Sequence, residues 1–155
     1  MTSEHQDSNI ASWEAVAADI EQYPDTEHWT PWKQLVRRFL CASIAAGLNR
    51  HFRAGQSMHH IVFSTLDHHG LRNEPRVTLE FHPPSEIRIA YGTTNLWFGT
   101  PGIEYSLPFD AAFATVRRFL HQLWTATVPE PIPEDIRSPG APLPAPVLTH
   151  ATEVA

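Results

Sequence analysis

The stretch RVTLEFHPPSEIRIAY, from Arg76 to Tyr91, constrains the fold more than any other part of the chain. Apolar residues alternate with polar ones through Val77, Leu79 and Phe81, and again through Ile87, Ile89 and Tyr91, the two-residue period of half-buried strands. Between the runs stand His82, Pro83, Pro84 and Ser85. Two prolines forbid a continuing ladder, so the chain must leave the first strand and is expected to return beside it as an antiparallel hairpin. One side of that hairpin is apolar, while the other carries Arg76, Thr78, Glu80, Glu86 and Arg88. A sheet of this kind needs an apolar cover on one face.

Amphipathic helices before and after the hairpin supply it. Ser12 is placed to cap a short helix bearing Trp13, Val16, Ala17 and Ile20, which Pro24 ends. Thr30-Pro31 signals a second start, and Leu35, Val36, Phe39, Leu40, Ile44, Leu48 and Phe52 continue at helical spacing toward a stop at Gly55. Met58 to Thr65 is β-branched and aromatic without clean alternation, as in a strand buried on both faces. Ile103, Tyr105 and Leu107 alternate as a last strand. Pro108 stops it, Asp110 caps, and Phe113, Val116, Leu120, Leu123 and Trp124 form the stripe of a C-terminal helix ending near Thr127.

The expected fold is therefore α+β: an antiparallel sheet of about four strands, covered on one face by N- and C-terminal helices. Residues 1–128 form the single domain. Seven of the 14 prolines lie between Pro129 and Pro146, which makes 129–155 a proline-rich extended or disordered tail.

The single cysteine, Cys41, excludes a disulfide framework and suits a reducing compartment. The first residues, MTSEHQDSN, have neither a basic nor an apolar targeting region, and no apolar run reaches the roughly 18 residues of a membrane span. A soluble, cytoplasmic protein is expected. With 17 acids against 11 bases, binding to a phosphate backbone is not favoured. The charges are segregated, however. Seven acids and no lysine or arginine precede Trp32, and Lys33, Arg37, Arg38, Arg50 and Arg53 follow with no acid between Glu27 and Asp67. An acidic arm beside a basic helix can pair internally or serve two partners.

No catalytic or cofactor motif is present, and neither a catalytic residue nor a cofactor is expected. Among ten histidines, two adjacent pairs occur, His59-His60 and His68-His69. Asp67, His68 and His69, with a strand histidine, have the donor chemistry of a divalent metal site. Strand alternation argues against His59 and His60 sharing an ion, because neighbours point to opposite faces, so no metal site is expected and Asp67, His68 and His69 are the alternative. Glu80, Arg88 and Glu104 share the polar side of three strands, with His60 or His82 nearby, either as cross-strand ion pairs or as acid/base groups.

Trp97 and Phe98 stand in a loop of glycines and Thr-Pro where a core residue is least expected, and Trp and Arg tend to dominate protein interfaces. Together with Arg37, Arg38, Arg117 and Arg118 they are the candidate partner-binding residues. The profile of a small acidic α+β domain with surplus surface aromatics and arginines resembles that of toxin-neutralising immunity proteins and similar bacterial inhibitors, which work by occlusion. That resemblance implies a non-enzymatic protein-binding module, an immunity protein or chaperone-like adaptor, whose partner is another protein such as a toxin or effector. The alternative is a small metal- or acid/base-dependent enzyme using the histidine-rich loop and sheet-face carboxylates.

Overall fold

The computed structural model describes residues 3–65, 74–92 and 103–137. Its elements run α1 (Ser3–Glu21), α2 (Trp29–Ala45), α3 (Leu48–His51), β1 (Arg53–Ser57), β2 (His60–Ser64), β3 (Arg76–His82), β4 (Glu86–Gly92), β5 (Ile103–Pro108) and α4 (Phe109–Thr127), followed by a 3-10 turn at Glu134–Ile136. The five strands form one antiparallel sheet in sequence order, β1-β2-β3-β4-β5. The hairpin read from the alternation is its centre, with Phe81 opposite Ile87 and His82 opposite Glu86. Ile61, Leu79, Ile89 and Tyr105 line up across β2 to β5 and point at the helices. All four are buried.

The strand count of five exceeds the expected four because Leu48 and Phe52 continue the helical spacing of α2 up to β1. Helix α2 stops at Ala45, and Gly47, at φ 81, takes the left-handed conformation that glycine adopts without penalty. Gly55 is not the stop; it lies within β1. Within α2, Trp32, Leu35, Val36, Phe39, Leu40 and Ser43 face inward while Cys41 and Ile44 are exposed, so Ile44 is not part of the apolar stripe.

Helix α1 begins at Ser3, well before Ser12, which sits in its middle and is buried. Ser12 Oγ donates to Asn9 O and accepts from the backbone N–H of Ala54 at 2.9 Å. On the same face Asn9 Nδ2 donates to Arg50 O and Trp13 Nε1 to Phe52 O, at 3.0 and 2.8 Å. Positions 9, 12 and 13 share a helix face, so three polar groups of α1 serve the backbone leading into the edge strand. Trp13 then stacks on Phe63 of β2, ring centroids 4.7 Å apart.

At the other side of the core, Phe39 of α2 meets Phe81, Phe109 and Phe113 edge-on at 5.7 to 5.9 Å. Helix α4 lies over β3, β4 and β5, with Phe119 stacked on Tyr91. Asp110 is in its first turn, beyond the Pro108 cap position, where a carboxylate complements the helix dipole. The far face of the sheet is not wholly polar: Val62, Thr78 and Ala90 occupy its middle and are buried together with Glu104.

The proline-rich stretch starts on the body of the protein. Ile136 is buried in the core cluster, Trp124 Nε1 donates to Glu130 O, and Asp135 accepts from Arg50 and from His51 Nε2. Residues 138–155 lie outside the described residues. Burial alone would push the Asp135 carboxyl up, but the His51 hydrogen bond and the His51 and Arg50 charges hold it below its ordinary 3.8. The acidic arm and basic helix pair internally as well, Glu21 with Arg37 and Asp25 with Lys33.

Two outcomes follow from these contacts. Ser12→Ala strands the buried Ala54 N–H and is expected to cost about 1–3 kcal/mol in urea unfolding; a cost near zero would mean the N–H finds another acceptor. Because its folded pKa is lowered, Asp135 contributes stability that is present above the unfolded value and lost as pH falls through the folded one. The stability gap between wild type and Asp135→Asn should therefore be full at neutral pH and narrow below about pH 4. A gap that does not change with pH would assign the loss to packing.

Candidate functional site

The polar side chains gather at one end of the sheet, where β2 begins and β3 turns into β4. Strand register sets His60 beside Glu80 and Glu80 beside Arg88 on the face away from the helices. His60 Nε2 lies 2.9 Å from Glu80 Oε2, and His82 Nε2 lies 2.5 Å from Glu80 Oε1. One carboxylate thus holds two imidazoles. Arg88 pairs with the buried Glu104 at 2.8 Å and stands 3.9 Å from Glu80. Burial pushes Glu80 up, yet the hydrogen bonds and charges of His60 and His82 more than offset it, so its carboxyl lies below the usual 4.5. Glu80 is an anion at neutral pH.

His59 joins this group, contrary to the alternation argument. Ser57 pairs with His60, so Met58 and His59 form the two-residue turn between β1 and β2 and do not obey strand alternation. The His59 and His60 rings lie 4.7 Å apart, and both imidazoles and Glu80 offer ligand atoms within 4.8 Å of one another. The turn is made by Met58 at φ 57, a left-handed conformation that costs a non-glycine residue roughly 1–2 kcal/mol. Tyr23 and Gln56 both donate to Met58 O and hold it there.

Next to this cluster opens a pocket of about 450 Å³. His59, Glu80, Phe81, His82 and Pro83 form its sheet side, and Glu27, His28, Trp29, Pro31 and Trp32 form its helix side. The helix side is fixed by the entry into α2, where Thr26 Oγ1 accepts from the Trp29 N–H and Tyr23, Trp29 and Trp32 pack ring on ring at 4.6 to 5.3 Å. Thr30 is inside the helix, and the N-cap position belongs to His28. A second, shallower depression on the other side of the turn is lined by Asp19, Tyr23, Gln56 and the 78% exposed Met58.

Of the residues expected to bind a partner, Arg37 is engaged by Glu21 through two nitrogens, and Arg38 lies 3.8 Å over the Phe109 ring. Arg117 stands 5.9 Å over Phe113, so Arg38 and Arg117 both lean on rings that touch Phe39. Arg118 is half-buried on the same helix. Trp97 and Phe98, and the alternative metal residues Asp67, His68 and His69, lie outside the described residues. The grouping of Glu80 with His60, His82, Arg88 and Glu104 is as the sequence suggested. The parts that sequence reasoning missed are His59 and the helix side of the pocket; the aromatic density of HWTPW, at 28–32, was the available signal.

Comparison of the chain with protein-family models, curated protein sequences and solved structures finds no match. Among the described residues no helix is long and apolar enough to cross a membrane.

The turn geometry is testable. Met58→Gly should relieve the left-handed strain and, after the entropy cost of glycine, raise stability by about 0.5 kcal/mol. A loss of about 1 kcal/mol or more in denaturant melts would instead show that the exposed methionine contributes packing.

Proposed function

We propose that the protein is a non-enzymatic, cytoplasmic protein-binding module, in its most concrete form a toxin-neutralising immunity protein or chaperone-like adaptor that acts by occlusion. The observation that carries this reading is the pocket between the start of α2 and the β3–β4 turn. It combines indole, proline and imidazole walls with two carboxylates, Glu27 and Glu80, and the exposed Met58 stands beside it. Rigid aromatic walls lose little conformational freedom on binding, and a flexible methionine adapts to the surface it meets. A further exposed acid, Asp19 of α1, lines the neighbouring depression together with Met58. The occupant is accordingly a basic loop of another protein that inserts an apolar side chain, with charge setting the rate and orientation of docking. The arginines are assigned no leading role, because Arg37 and Arg38 are engaged within the chain.

A second reading, a small acid/base enzyme, rests on Glu80 holding two imidazoles at the pocket wall. Turnover by wild type of any substrate in a hydrolase panel, lost in Glu80→Gln, would move the assignment to it.

The binding reading is checked with a photo-crosslinking residue placed at His28 and, separately, at Gln122 on exposed α4. In the native host, position 28 should capture one basic protein and position 122 should not. Glu27→Lys, whose side chain is exposed, should leave the melting temperature unchanged and weaken that complex about ten-fold at low salt, less at high salt. Equal capture from both positions would remove the pocket from the interface.

A further inference from the structure

We propose that His59, His60 and Glu80 form a binding site for a divalent transition-metal ion of the zinc class, with His82 orienting the carboxylate. This goes beyond the partner-binding reading and does not depend on it.

Three independent features converge. The first is distance: one ligand atom from each of the three residues lies within 4.8 Å of the others, and His60 Nε2 is 2.9 Å from Glu80 Oε2. Two donors on one tetrahedral zinc, each about 2.0–2.1 Å from the metal, are separated by about 3.3 Å. The His60–Glu80 separation is already close to that value, so an ion can take the place of the shared proton with little movement of β2 against β3. His59 is in the turn, where a small change of side-chain rotation closes the remaining gap.

The second feature is donor chemistry. Two neutral imidazoles and a carboxylate suit zinc, copper or nickel, and they do not suit magnesium or calcium, which take oxygen. A glutamate carboxyl is ionised at neutral pH, as a ligand must be. The third feature is the second layer. His82 Nε2 holds Glu80 Oε1, the oxygen that His60 does not contact, and so fixes which oxygen faces the ion. The turn is pinned as well: Tyr23 and Gln56 clamp Met58 in its left-handed conformation, and that conformation aims His59 at His60. Strain concentrated at such a position is the mark of a side chain that must be aimed.

Three protein ligands leave a fourth tetrahedral position open for water or for a donor atom of whatever occupies the pocket, since His59 and Glu80 both line it. Among the described residues, the remaining histidines are His28, on the helix side of the same pocket, His5 on α1, His51 against Asp135, and His121 on α4.

The test uses the full chain, stripped with a chelator and titrated with zinc against a chromophoric competitor, with cobalt as a spectroscopic substitute. Wild type should take up one ion per chain and, with cobalt, develop the visible absorption of a four-coordinate site. His59→Ala, His60→Ala and Glu80→Gln should each weaken zinc binding by at least about ten-fold, and His82→Ala by a comparable or smaller factor. His121→Ala should leave it unchanged, and so should the double variant His68→Ala/His69→Ala. Circular dichroism confirms that each variant is folded. Because His59 is a turn residue outside the core, His59→Ala keeps the proposal falsifiable even where a strand variant fails to fold. Failure of wild type to retain zinc, or unaltered affinity in His59→Ala, overturns the site. The same holds if binding is lost only in the His68/His69 variant, which would place the ion elsewhere. Loss of the site would not touch the crosslinking result at position 28, so the two proposals fail separately.

Discussion

The sheet depends on a bargain between a helix and an edge strand. β1, RAGQS, has almost no intrinsic tendency to be a strand, being short, polar and glycine-containing. It is stabilised from both sides: β2 supplies one ladder, and Asn9, Ser12 and Trp13 of α1 take up the backbone groups of Arg50, Phe52 and Ala54 on the other. The start of that edge, at Ala54, is thereby covered by a side chain of α1 instead of by a further strand. With β1 in place the β1–β2 turn is set, and with the turn His59 is set.

This explains which parts of the fold were legible in the sequence. The β3–β4 hairpin was, because Val77, Leu79 and Phe81 and then Ile87, Ile89 and Tyr91 have one environment on each side, and period alone determines the face. The helical stripes of α2 and α4 were legible for the same reason. β1 was not, since its stability resides in contacts with α1 about 40 residues away and not in its own residues. The end of α2 was misplaced because Leu48 and Phe52 continue the apolar spacing after Gly47 has already turned the chain.

The candidate site shows the same division. Glu80, His60, His82, Arg88 and Glu104 were grouped correctly because antiparallel register is a local rule. His59 was separated from His60 by applying that rule one residue too far, into a turn where it does not hold. The helix wall of the pocket, Glu27 to Trp32, lies some 50 residues from Glu80, and nothing in either stretch announces the other. Sites assembled from distant segments are visible only after the core has brought the segments together. Here that core centres on Phe39, which connects α2 to both β3 and α4.

One short stretch, 47–54, is gripped by both flanks of the described chain. α1 reaches its backbone through Asn9, Ser12 and Trp13, while the segment after α4 reaches its side chains through Asp135, and Trp124 lies against both His51 and Phe52. Neither flank can detach without loosening the surface on which the other rests. The contacts therefore couple the opening of two segments that are more than a hundred residues apart along the chain, and native-state amide exchange is expected to show them opening together.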